Sequence, residues 1–213
     1  MAAPTGVTVR RLTAGALPAA AEGLGALLAD AVDDGASVGF LAPLTIDRAA
    51  AYWSGLAPAL ADGTVTVWTA HADNGGGNNG KRHADDDGTR TGTGTGSSGT
   101  SSGGRVIGTV QLRSETSPNG THRAEVAKLL VHRDARGRGV ARLLLTAAEE
   151  CARDAGRTLL LLDTQTGSAA EHLYRSAGWT PVGTVPDYAA DPAGVLRPTT
   201  FFRKTLGGPA GSD

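Results

Sequence analysis

The sequence predicts an α+β fold, a mixed sheet of about six to seven strands flanked by about four helices, in the order βααβ, insertion, ββαβαββ. Three observations predict it. Two alternating, β-branched runs, residues 64–69 and 105–113, flank a glycine-rich stretch and read as an antiparallel hairpin. The succession of strand, glycine turn, helix and apolar strand over residues 124–163 reads as a parallel crossover. Finally, 213 residues with 40% hydrophobic content suffice for one sizeable core, and all residues are expected to form a single domain, 1–213.

Each element has its own signal. Val7 to Arg11 is a short first strand. Pro18 to about Asp33 is rich in Ala and Leu and reads as a helix, weakened by Gly23 and Gly25. Thr45 can cap a second helix running to about Leu60, with Asp47 in its first turn. Residues 72–104 hold 11 of the 31 glycines and no Leu, Ile, Val, Phe, Tyr, Trp or Met. Such a stretch buries too little apolar surface to offset its ordering entropy, so a disordered insertion is expected there. A long loop between adjacent strands costs little extra, because closure entropy grows only logarithmically. Ala124 to Val131 is the next strand and residues 134–139 a turn. Val140 to Ala155 is a helix with Leu143, Leu144, Ala147, Ala148, Cys151 and Ala152 on one side. The continuous run Thr158 to Asp163 suggests a strand covered on both faces. Ser168 to Ala177 is a helix; Trp179 to Val182 and Thr199 to Lys204 are the last strands, and residues 207–213 a flexible tail.

Composition excludes several classes of function. Lys and Arg number 20 against 21 Asp and Glu, a net charge of −1, so no global basic field exists for nucleic acid or an anionic membrane. No apolar run is expected to approach the length of a membrane span, and Met1 to Arg11 lacks the apolar core of a secretory signal. The single cysteine, Cys151, excludes an internal disulfide and a cysteine-rich metal site, and makes a cytoplasmic location the default expectation. His122, His132 and His172 show no metal-ligand spacing, so no metal is expected.

The chemistry starts at Arg136-Gly-Arg-Gly-Val-Ala141, between a strand and a helix. Glycines permit an irregular turn, and a helix start presents N–H groups without intrahelical partners. Together these form an anion site. Arg136, Arg138 and Arg142 would be misplaced beside a helix N-terminus unless an anion sat among them. No Lys-Ser/Thr follows the glycines, and Arg142 occupies the third glycine position of a dinucleotide fingerprint, so neither of those motifs fits. An ordinary glycine turn is the competing explanation.

Arg136, Gly139 and Ala141 match the Arg-x-x-Gly-x-Ala signature of the GNAT N-acetyltransferase superfamily, which the sequence therefore resembles. The match extends to Leu173-Tyr174-Arg-Ser-Ala-Gly-Trp179 and is strongest over residues 122–205. In detail, "RAEVAKLLV", "LLDTQTGSAAEHLYRSAGW" and "TTFFRKTL" are most similar to the tabtoxin-resistance type of acetyltransferase. The resemblance implies acetyl-CoA as co-substrate and a splayed parallel strand pair. The pantetheine arm would pair with freed backbone at Leu129, Leu130 and Val131. The pyrophosphate would sit on the amides of Arg136, Gly137, Arg138, Gly139, Val140, Ala141 and Arg142. Many members carry Asn where Gly167 stands here; Ser168 is the expected substitute.

Amine acetylation needs a base for the ammonium and an acid for the leaving thiolate. Glu125 lies in an apolar strand where desolvation would raise its pKa, and the resemblance makes it the first choice of base. Its alternative is a plain ion pair with Arg123, Lys128 or another cation. Asp163 ends a parallel strand, where sites collect; it could bind the ammonium, share base duty, or merely accept hydrogen bonds from the next turn. The resemblance makes Tyr174 the acid, against a packed aromatic as the alternative. The implied activity is transfer of acetyl to a primary amine of a small molecule, such as an amino-acid-like toxin or antibiotic, by direct attack in a ternary complex. The acceptor pocket is expected from the loop Gly35 to Pro43 and an irregular segment, Val185 to Arg197. Acetylation of protein or peptide amines and a non-catalytic acyl-CoA sensor are the other readings, and a homodimer is an open expectation.

Overall fold

The computed structural model describes residues 6–72 and 104–207. Twelve elements follow one another: β1 (Val7–Leu12), α1 (Leu17–Asp33), α2 (Ile46–Ser54), α3 (Ala57–Ala61), β2 (Val65–Ala72), β3 (Val106–Ser114), β4 (Arg123–Val131), α4 (Val140–Asp154), β5 (Leu159–Gln165), α5 (Ala169–Ser176), β6 (Thr180–Ala190) and β7 (Leu196–Thr205). The strands form one sheet in the order β1-β2-β3-β4-β5-β7-β6. Every pairing is antiparallel except β4 with β5. The α+β class and the mixed sheet are thus as expected.

The two faces of the sheet bury separate apolar layers. Trp68, Val110, Val126, Leu160 and Phe202 pack with Leu144, Leu145 and Ala148 of α4 and Tyr174 of α5. On the opposite face Val67 and Leu130 pack with Leu24, Leu27, Leu28 and Trp53 of α1 and α2. Val67 and Trp68 are chain neighbours on opposite faces, as a pleated strand requires. With its preceding turn, α1 forms a 20-residue stretch, Ala14–Asp33, whose length and mean hydropathy of 1.2 would suit a membrane span. Half of it is buried in this core, which accounts for its apolar residues.

Several expectations need correction. The helix expected over 45–60 is two helices, giving five α-helices among the described residues. Pro58 lacks an N–H and its ring collides with the carbonyl four residues back, so α2 stops at Ser54 and α3 starts anew with Pro58 in its first turn. Thr45 does cap α2, accepting from the Arg48 N–H at 3.3 Å. Gly25 is a packing residue: a Cβ there would lie 2.8 Å from both Ala50 N and Ile46 O, so glycine lets α1 and α2 touch. The run Thr158 to Asp163 is covered on one face only, since Leu160 and Leu162 are buried while Leu161 is 37% exposed. The segment 185–197 is mostly strand, since β6 runs to Ala190 and β7 begins at Leu196; its irregularity is confined to a register shift between Val185 and Ala189, where Asp187 has φ +48°, and to the turn of the hairpin. The insertion and the tail lie outside the described residues except for Ala72, Gly104 and Gly207. Ala72 belongs to β2, where its N–H donates to Arg105 O at 3.2 Å.

Candidate active site

Strands β4 and β5 start as neighbours and then part. They pair only through Arg123, Ala124 and Glu125 against Leu159, Leu160 and Leu161. Beyond that point β4 stays with β3, while β5 stays with β7 through Gln165. A bulge drives the divergence. On β3 one residue separates Thr109 from Gln111, yet their partners Leu130 and Ala127 are separated by two, Lys128 and Leu129. Lys128 takes up the extra residue with φ +49°, a left-handed conformation that is uncommon for any side chain but glycine. The resulting wedge is a cleft of about 780 Å³.

One end of the cleft is made of backbone. After β4 a 3₁₀ turn, Arg133–Ala135, leads to Gly137 and Gly139, with φ +73° and +80°. Gly139 is the N-cap of α4 and contributes no side-chain cap. The first N–H groups of α4 therefore have no intrahelical partner, and Gly137, Gly139, Val140 and Ala141 line the cleft there. A substituent on Gly137 would meet nothing within 4 Å, so the turn has room for a ligand at its surface. Leu129, Leu130, Val131, Arg136, Arg142 and Ser168 also line the cleft; Arg138 does not. The arginines are less free than the sequence suggests. Arg136 is paired with Asp34 through Nη1 and donates through Nε to Val131 O at 3.3 Å, and Arg142 Nη2 donates to Ser176 Oγ at 3.0 Å. Arg136 holds the Asp34 carboxyl below its ordinary pKa. Ser168 caps α5, accepting from the Glu171 N–H at 3.2 Å, and Gly167 before it has φ +79°.

The other end is made of side chains. Glu125, Asp163 and Tyr174 converge on it, so the three residues singled out for proton transfer share one cleft. Their environments differ from expectation. The Glu125 side chain is 47% exposed, with Oε1 4.0 Å from Arg113 Nη1, so it is not the desolvated carboxylate. That role falls to Asp163. Solvent reaches its carboxyl, but the cleft walls withhold enough solvation to raise its pKa, against the lowering pull of Lys128 and Arg113. Tyr174 is buried among Trp179 and Phe202, with ring centroids at 6.0 and 6.1 Å. Burial and the charge of Asp163 push its phenol well above the ordinary value, which keeps it protonated.

Sequence reasoning named Lys128 only as a pairing partner for Glu125 and missed Arg113. Arg113 Nε and Nη2 donate to Gln111 Oε1 at 3.3 and 3.1 Å, and Nη2 donates to the Tyr52 hydroxyl at 3.2 Å. Burial, the first cause, and Arg113 lower the Lys128 pKa. The one available signal was a lysine flanked by the apolar residues Val126, Ala127, Leu129 and Leu130 of β4. Over this end lies the loop after α1, fastened to the β6–β7 hairpin by Ser37 Oγ donating to Ala190 O at 3.4 Å and Ala42 N–H to Pro192 O at 2.9 Å. Among the described residues, no group of His, Cys, Asp and Glu is placed to hold a metal ion.

Comparison with known proteins bears on this architecture. The acetyltransferase (GNAT) family profile matches residues 78–179, the stretch that carries β3, β4, α4, β5 and α5. Among solved structures, a ribosomal-protein-alanine N-acetyltransferase from Brucella melitensis is 22% identical, with 93% of this chain and 99% of that one covered and a TM-score of 0.62. A GCN5-related N-acetyltransferase from Kribbella flavida is 20% identical, with coverage of 96% and 100% and a TM-score of 0.64. The yncA structure from Salmonella typhimurium, named as an acetyltransferase and solved with its cofactor acetyl-CoA, is 18% identical, with coverage of 98% and 99% and a TM-score of 0.63. These neighbours share the fold, and the profile falls on the elements that build the cleft. The chain thus carries the fold of the GNAT acetyltransferases, and the family profile matches the part of it that forms the cleft.

Proposed function

We propose that this protein is an acetyltransferase that transfers acetyl from acetyl-CoA to the primary amine of a small molecule, by direct attack within a ternary complex. The observation that carries the reading is the wedge between β4 and β5, with an anion-ready helix start at one end and a raised-pKa carboxylate beside a protonated phenol at the other. The residues present fit the co-substrate. The first turn of α4, with Gly137 and Gly139, would hold its pyrophosphate, and the open edge of β4 at Leu129–Val131 its pantetheine arm. When bound, acetyl-CoA supplies an activated thioester.

The chain's own residues then manage protons and position. Asp163 takes the proton from the acceptor ammonium, since a raised pKa makes a carboxylate a stronger base. Glu125, exposed and beside Arg113, orients the ammonium and shares the proton. Tyr174 gives a proton to the departing sulfur, being held protonated by burial. The Val131 N–H is the candidate donor toward charge developing on the carbonyl oxygen. The loop fastened over the acceptor end makes a walled pocket, which favours a small acceptor over a polypeptide.

Calorimetric titration with acetyl-CoA, then thiol release with a panel of small primary amines, tests the reading. Saturable binding and amine-dependent release support it. Binding without release for any amine, with release on peptides, would shift the acceptor to a polypeptide.

A further inference from the structure

Four charged side chains line the acceptor end: Arg113, Glu125, Lys128 and Asp163. Arg113 is fully engaged by Gln111 and Tyr52 and lies 4.0 Å from Glu125. Lys128 is the exception. Among the described residues no carboxylate lies within ion-pair distance of its ammonium and no oxygen accepts from it. Its Nζ lies 5.8 Å from the centroid of the Tyr52 ring, and a Cβ added to Gly39 would lie 3.7 Å from it. Burial depresses its pKa in spite of the attraction of Asp163 and Glu125. Its backbone is also held at φ +49° by the bulge. A half-buried ammonium without a counter-ion weighs against folding, and so does the left-handed backbone. Both costs point to a group whose partner arrives with the substrate.

We propose that Lys128 is a specificity-determining residue whose ammonium binds a carboxylate on the acceptor, while the acceptor's amine lies toward Asp163. The inference rests on the amine-acceptor reading above and adds the acceptor's second functional group. A zwitterion matches the site: its anion meets Lys128 and its ammonium meets Asp163 and Glu125. A monoanion fits better than a phosphate dianion, because those two carboxylates share the same end of the cleft. The co-substrate's phosphates have their own seat at the start of α4, supplied by backbone.

The test uses α-amino acids and matched amines lacking only the carboxylate, methionine against 3-(methylthio)propylamine for example, at saturating acetyl-CoA with thiol release as the readout. The acids are expected to be preferred by about 10–100-fold in kcat/KM, the worth of a charge-assisted contact. In Lys128→Met that preference should fall to near unity through KM, with kcat and acetyl-CoA affinity held; Lys128→Arg should keep it. An equal preference in Lys128→Met, or none in the parent, overturns the proposal. A loss confined to kcat overturns it in favour of proton transfer, and a loss of acetyl-CoA affinity in favour of co-substrate binding. A second measurement does not depend on turnover. Acylation of Lys128 by N-hydroxysuccinimidyl propionate, read by peptide mass, should be slowed by N-acetylmethionine and not by N-acetyl-3-(methylthio)propylamine, neither of which has an amine that consumes the ester. Protection by neither overturns the proposal even where turnover is absent, whereas failure of acetyl-CoA to bind the parent would instead remove the enzymatic reading.

Discussion

The two ends of the cleft are built in opposite ways. The end assigned to the co-substrate is backbone from one contiguous stretch, the end of β4 through the first turn of α4. The acceptor end is side chains from separate elements: Tyr52 of α2, Gln111 and Arg113 of β3, Glu125 and Lys128 of β4, Asp163 of β5 and Tyr174 of α5. A backbone site tolerates any side chain that keeps its dihedral angles, and it offers the same amides to the same anion. A site of converging side chains changes with each residue. Within one fold, the first arrangement suits a shared co-substrate and the second a particular acceptor.

Substitutions at each end should therefore fail differently. The largest effect is expected at the proton-handling pair. Asp163→Asn and Tyr174→Phe should each lower kcat by about 10²–10⁴-fold, with acetyl-CoA affinity by calorimetry almost unchanged. Because burial raises the Asp163 pKa, its ionised form weighs against folding above that pKa, and the penalty is relieved as pH falls through it. Asp163→Asn should thus melt no lower than the parent at neutral pH, and the acid limb of the parent's kcat/KM profile should lie above the ordinary carboxylate pKa and vanish in the variant. A lower melting temperature would mark Asp163 as structural.

At the other end, Gly139→Val should invert the pattern. A β-branched residue at φ +80° distorts the turn, and acetyl-CoA should bind about 100-fold more weakly while kcat at saturation changes little. Glu125→Gln should cost only about 10-fold in kcat/KM, being exposed and secondary to Asp163; a loss equal to that of Asp163→Asn would restore Glu125 as principal base. The smallest effect is expected from Asp34→Asn. It frees Arg136 from an exposed ion pair, so acetyl-CoA affinity should rise by about 2–5-fold, less at high salt.

How much was legible in the sequence follows the same division. The glycine turn and the α4 start could be read because Arg136 to Arg142 are neighbours in the chain and glycine marks positive φ directly. The β2–β3 hairpin and the parallel crossover followed from periodicity and from the strand–turn–helix succession. The split of the second helix was also present, at Pro58, although the apolar spacing ran on past it. Less legible was the extent of β6, whose Pro181 and Gly183 look like a loop but sit in an edge strand, where a missing N–H is tolerated. The desolvation expected at Glu125 fell on Asp163, because solvation depends on the walls that face a carboxylate and not on the apolarity of its own strand.

By itself, then, the sequence determined the α+β class, the antiparallel hairpin flanking residues 73–103, and the glycine turn before α4, since each depends on residues close together in the chain. Only the tertiary structure decided where β4 and β5 part, that a bulge places Lys128 in the cleft without a counter-ion, and which carboxylate loses its water. Those properties arise where β3, β4, β5 and α2 meet, and no local pattern in any one of them records the other three.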